Sequence, residues 1–172
     1  GIAKAYSSKH KWKKSMAQPA KKYFENINTT PLLLVLEELT EEYRKTRNLM
    51  GDQIHALVRN DLDQLNRITE MQVQRYESLE RLEQSFRNEL NKIFDECDST
   101  EKGRSLTRFM EELEKPNEKL NTLRENLKQQ VERTQQYKDQ LLGLLEFARE
   151  HNAGILKEMY TEGEAASTHY TH

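Results

Sequence analysis

The sequence predicts an all-α protein: a long antiparallel helical hairpin or coiled coil with a short intervening helix and flexible N- and C-terminal tails. Three observations carry that prediction. Charged residues make up 33% of the 172 residues and the apolar set only 35%, the balance of long helices that bury one stripe each. Glycine (6) and proline (3) are scarce, and good helix formers fill the rest. Apolar residues also recur at a helical period over long distances.

The elements follow in chain order. Residues 1–29 hold no sustained period and read as a basic flexible arm. Residues 1–30 carry Lys4, Lys9, Lys11, Lys13, Lys14, Lys21 and Lys22 against Glu25 alone; with a net charge of −2 for the whole chain, the remainder sums to −8. Met16 is a second candidate start, which makes residues 1–15 an upstream extension. The segment "NTTPLLLVLEEL" opens a helix. Thr30 supplies a capping hydroxyl, and Pro31 in the first turn loses nothing by lacking an N–H.

From there one helical phase runs through positions 32, 36, 39, 43, 46, 50, 54, 57, 61, 65, 68, 72, 76, 79, 83, 86, 90, 93 and 97. Only Thr46, Asp61, Gln72 and Glu83 among them are neither apolar nor cysteine. The spacing predicts one helix over about 31–97, roughly 100 Å long at ~1.5 Å per residue, with Gly51 as the place for a kink. "DECDST" ends it and offers Asp98 or Ser99 as the cap of a short helix over 99–114, whose apolar face is Leu106, Phe109, Met110 and Leu113. Pro116 interrupts that helix. A second long helix follows over 117–160, and 161–172 ("TEGEAASTHYTH") read as a disordered tail. Residues 30–160 thus form the helical domain.

The chemistry that the chain excludes narrows its function. Cys97 is the sole cysteine, which rules out an intrachain disulfide and places the chain in a reducing compartment. It lies on the apolar phase and reads as a small buried hydrophobe. No glycine-rich phosphate loop, nucleophile elbow or His-Glu-x-x-His is present. His55 and His151 stand singly on helices, while His169 and His172 sit in the tail. Paired glutamates such as Glu37/Glu38 and Glu111/Glu112 read as solvated helix faces. The expectation is a protein that is not an enzyme, with no cofactor, metal or small-molecule substrate, soluble and cytoplasmic. Nucleic acid or an anionic membrane has a foothold only in the basic arm, around Lys11, Trp12, Lys13 and Lys14.

Residues 141–160, "LLGLLEFAREHNAGILKEMY", stand apart. At 100° per residue, Leu120, Leu123, Leu127, Val131 and Tyr137 span an arc of about 120° with Leu141, one ordinary buried stripe. Adding Leu142, Leu144, Leu145, Phe147, Leu156 and Tyr160 widens the arc to about 220°. Two readings follow. Either the short helix or the start of the first helix covers the extra surface, or Leu142, Leu144, Phe147, Leu156 and Tyr160 anchor an amphipathic partner helix.

The first-helix segment from "LLLVLEELTEEYRKTRNLMGD" through "DLDQLN" to the glutamine-rich stretch ending "LEQSFR" resembles the FlgN-like flagellar export chaperones. "QQYKDQLLGLLEFAREHNAGILKEMY" is similar to that family's final helix. The resemblance covers about residues 31–160. It implies a cytoplasmic chaperone of the flagellar type III secretion system that binds the C-terminal amphipathic helices of hook–filament junction proteins, blocks their premature assembly and delivers them to the export gate. Carried over by position, the client surface is Leu141, Leu142, Leu144, Leu145, Phe147, Ile155, Leu156, Met159 and Tyr160. The basic arm is no part of the family pattern. The alternative function is a coiled-coil scaffold or adaptor that forms a homo-oligomer along the 31–97 stripe.

Overall fold

The computed structural model describes Phe24, residues 27–97 and residues 103–166, with side chains through Asn152. Among these residues the chain is helical and without strands: α1 (Thr30–Val58), α2 (Leu62–Glu96), α3 (Leu106–Glu111) and α4 (Glu118–Ala166). The all-α class, the long packed helices and the short helix between them are as the sequence predicts. The continuous helix over 31–97 is not.

The chain turns at Arg59–Asp61 instead of running on, because two caps meet there. Asn60 adopts the left-handed conformation at φ +57°, which asparagine tolerates better than most residues. Its N–H donates to the Leu57 carbonyl at 3.0 Å, and the Asp61 N–H to the Ala56 carbonyl at 2.8 Å. That pair of bonds is the Schellman closure of α1. Asp61 then caps α2, its carboxylate accepting from the Gln64 N–H at 3.0 Å. Gly51, the expected weak point, lies inside α1.

Other boundaries shift for similar reasons. The side chain that accepts the Thr30 N–H is that of Asn28, at 3.1 Å, in place of the expected Thr30 hydroxyl. The short helix spans six residues, Leu106–Glu111, and not 99–114. Ser105 caps it by accepting from the Arg108 N–H at 3.1 Å, and Gly103 takes the turn before it at φ +78°. The expected caps Asp98 and Ser99 lie outside the described residues. Asn117, just past Pro116, caps α4 through the Leu120 N–H at 3.1 Å. That helix continues to Ala166, six residues beyond the expected end at 160.

Two compact units divide the chain, one drawn from Gly1–Tyr43 and Glu77–Val131, the other from Arg44–Tyr76 and Glu132–His172. The first unit centres on Phe24, Leu32, Leu36, Leu90, Ile93, Phe94, Phe109 and Leu120. Phe24 meets Phe94 and Phe109 edge-on, with centroids 5.4 and 5.5 Å away, the favoured geometry for aromatic pairs. Arg108 lies over the Phe94 ring at 5.2 Å, and Arg104 bonds Asp95 at 2.8 Å. Phe24 corrects the extent of the arm: residues 1–29 are not all a flexible extension, since this side chain is part of the core. The remaining arm residues up to 23, together with 25, 26 and 167–172 of the tail, lie outside the described residues.

The second unit has a different interior. Met50, Ala56, Ile68 and Leu141 are buried in it beside Thr46, Gln53, Gln72 and Thr134. Gln72 donates from Nε2 to the Thr46 carbonyl at 3.1 Å, and Gln53 from Nε2 to the Thr69 hydroxyl at 3.1 Å. These bonds tie α1 to α2 in antiparallel register. The Gln72 Oε1 is buried with no hydrogen-bond partner.

Candidate partner-binding face

The expected client residues all fall on α4, in the second unit. This helix is set against α1 at Gly51, where a Cβ would reach ordinary van der Waals contact with Cε2 of Tyr137, at 3.4 Å. One turn further Leu141 is buried at 7% exposure, and Leu144 and Ala148 are half-buried. The spacing 134, 141, 144, 148 is the inward stripe of the helix. Residues 149–152 are all exposed.

Apolar side chains remain outside that stripe. Leu142 is 52% exposed, Leu145 39% and Phe147 66%. A short helix covering them would bury them, and α3 is committed elsewhere. Its Phe109 sits in the core of the first unit, and Leu106, Met110, Leu123 and Leu127 pack on the same cluster. Within the second unit, therefore, Leu142, Leu145 and Phe147 face solvent.

The nine expected residues do not form one patch. At about 100° per residue, Leu142 and Leu145 lie on one flank of the buried stripe and Phe147 on the other. Phe147 stacks on His151, one turn on, with centroids 6.2 Å apart and planes 2° from parallel. Leu141 belongs to the interior, and Leu144 to its margin. Positions 155, 156, 159 and 160 lie within α4, where 156 and 160 fall at the helical phase of Leu142 and Leu145. Their side chains are beyond those described. The strip at this phase is thus the more extended of the two flanks.

The chemistry available here is hydrophobic docking. Among the described residues no group of three or more His, Cys, Asp or Glu could hold a metal ion. No helix among the described residues is long and apolar enough to cross a membrane. Cys97 is half-buried, and burial together with the neighbouring Glu96 carboxylate pushes its thiol pKa up, away from the thiolate that reactive cysteines need.

A feature that the periodicity missed is a groove on α1 and α2. Leu49 and Met71 line it, and both sit one position off the apolar phase. Neither belongs to the regular stripe, so no period marks them as neighbours.

Comparison with known proteins places the chain in a family. The family model described as FlgN protein matches residues 28–172. No curated protein and no solved structure matches the chain.

Proposed function

The chain belongs to the FlgN family, the flagellar export chaperones, and from that membership we propose that it holds the C-terminal amphipathic helices of hook–filament junction proteins in the cytoplasm and presents them to the export gate. The client helix docks on α4. The observation that supports this reading is the exposure of Leu142 and Leu145 on one flank of a helix whose inward stripe is already satisfied. Positions 156 and 160 continue that flank, while Ile155 and Met159 fall at the phase of the inward stripe. Phe147 gives the client a second contact on the opposite flank.

Burying one such side chain contributes about 1.5–3 kcal/mol, and several offset the cost of bringing two chains together. A helix that would otherwise assemble with its own kind is covered until export. No chemical step is involved. The export apparatus separates the pair.

Calorimetric titration of the full chain with C-terminal segments of hook–filament junction proteins tests this directly. A one-to-one complex of micromolar affinity or tighter is expected. Leu142→Asp should abolish it with unchanged helix content, and Phe147→Asp should weaken it less. Absence of a complex, with a stable homo-oligomer in light scattering, would instead assign the α4 face to self-association and favour a scaffold.

A further inference from the structure

The flank of α4 that carries Leu142 and Leu145 has a wall opposite it, and α2 supplies that wall. Two observations on the second unit fix which helix lies on which side. Tyr137 approaches α1 at Gly51, and at about 100° per residue it falls on one side of Leu141 while Leu142 and Leu145 fall on the other. Leu49 and Met71 line the outer groove between α1 and α2, with no residue of α4 among the lining. The α4 helix therefore packs on the opposite side of the α1–α2 pair. That arrangement sets Leu142 and Leu145 along α2, and sets the flank of α2 remote from Met71 along α4.

This flank of α2 differs from the rest of the chain. Leu62, Asn66, Thr69, Val73 and Tyr76 follow one another at steps of four and three residues, the spacing of a seam between helices. Leu62 is 58% exposed, Val73 53% and Tyr76 47%, with Asn66 and Thr69 exposed between them. None of the five is charged, in a chain where a third of all residues are. Beyond Tyr76 the flank turns charged, at Glu77 and Glu80. The uncharged stretch is about 21 Å long, four turns of helix.

The two walls are in register. Gln53 of α1 bonds Thr69, close to the level at which Tyr137 approaches Gly51. The α1 and α4 helices enter the second unit after Tyr43 and Val131, and α2 leaves it at Tyr76, so α4 runs antiparallel to α2. Leu62 is about two turns from Thr69, and Leu142 and Leu145 are about one to two turns from Tyr137. All three lie in the same direction, toward the Arg59–Asp61 turn. Lys138 and Gln135 continue the α4 wall toward Val73 and Tyr76. The rim mixes signs, with Glu70 on α2 and Lys138, Asp139, Glu146 and Arg149 on α4, all exposed. Charge therefore selects no occupant, and apolar contact has to carry the docking.

We propose that the client helix lies in this α2–α4 groove, its apolar stripe shared between Leu142 and Leu145 on α4 and Leu62, Val73 and Tyr76 on α2. The inference rests on the client reading and deepens it: the site takes one amphipathic helix of about four turns, uncharged along its buried face. Continuity favours this occupant, because the α2 strip borders the α4 flank assigned to the client. Length favours it too, since the strip matches the stripe of a single helix and ends where charge begins.

Titration of the full chain with the C-terminal segment of a hook–filament junction protein reads the proposal. Val73→Glu and Leu62→Glu should each weaken binding about tenfold or more. Both positions are exposed, and a carboxylate in the first turn of α2 favours the helix, so helix content should hold. Met71→Glu, as exposed as Val73 but on the opposite flank, should leave affinity unchanged. Added salt should change affinity little, because it screens rim charges of both signs. A photo-crosslinking residue at position 73 should trap the segment and one at position 71 should not. Unchanged affinity in Val73→Glu and Leu62→Glu would refute the α2 wall while the α4 client reading stands. A segment that fails to bind the unsubstituted chain would refute both. A homodimer in light scattering that Val73→Glu dissolves, with client affinity unaltered, would overturn the proposal and give the strip to a second copy.

Discussion

Four residues interrupt the apolar phase of the first hundred positions, and for Asp61, Gln72 and Glu83 a side-chain bond explains the interruption. Thr46 is fully buried and gives its carbonyl to Gln72. Asp61 caps α2. Glu83 accepts from the Tyr43 hydroxyl at 2.8 Å. Spacing marks all four as inward positions, but it cannot name their partners, which sit as far as 40 residues away in sequence. The Tyr43–Glu83 bond has a measurable consequence. Burial first, then the bond to Glu83 and its negative charge, raise the Tyr43 pKa from 10.0 to about 12. The folded state thus favours the protonated phenol, so the contribution is fully present below pH 10 and is lost as pH rises through about 12. Ultraviolet titration of tyrosinate should show one late component near pH 12 that Glu83→Gln shifts down and Tyr43→Phe removes. A late component that Glu83→Gln leaves in place would show that the bond does not form.

At the scale of the element, the expected helix over 31–97 is two helices because a three-residue turn leaves the apolar phase unbroken. Leu57, Asp61 and Leu65 keep their spacing through the turn, so the period alone reads straight across it. The local signal was "RNDLDQL": asparagine suits a left-handed C-terminal position and aspartate an N-cap. Cap chemistry decides the boundary here, while glycine content, which pointed to Gly51, does not. Opposite substitutions test that ordering. Gly51→Ala should stabilise by about 0.5–1 kcal/mol, because its backbone is already helical and the new Cβ meets only the edge of Tyr137 at 3.4 Å. Asp61→Ala should destabilise by about 1 kcal/mol through the lost cap. Thermal denaturation of the two variants reads both signs, and stabilisation by Asp61→Ala would refute the capping role. The candidate face was legible in the same partial way. Helical phase found Leu142, but it set Leu145, Val131 and Tyr137 within the buried stripe, where each is more than a third exposed, and it grouped Phe147 with Leu142 although the stripe between them is buried.

Over the whole molecule the two interiors differ in kind, and stability should follow that difference. The first unit buries Phe24, Phe94 and Phe109 together with leucines and isoleucine. Among the described residues of the second, Thr46, Gln53, Gln72 and Thr134 take up half of the buried positions, against Glu42 as the buried polar side chain of the first, and the Gln72 amide oxygen lacks a hydrogen-bond partner. Each aromatic ring removes a large apolar area from water, whereas a buried amide with an unmet acceptor costs about 1–3 kcal/mol. Opening of the second unit should therefore need less free energy than opening of the first. Hydrogen exchange of the full chain is expected to show lower protection for residues 44–58 and 62–76 than for 30–43 and 77–96, although each pair of segments shares one helix. Gln72→Met removes the orphaned acceptor but also the Nε2 bonds to the Thr46 carbonyl and the Gln53 Oε1, and the loss of those ties should lower protection in the second unit selectively. Saturating the chain with a client peptide should raise it there, since a ligand that binds only the closed form adds its binding free energy to closure. Uniform protection across all four segments, unmoved by either change, would show that the helices open as one cooperative block and that the polar interior carries no weakness.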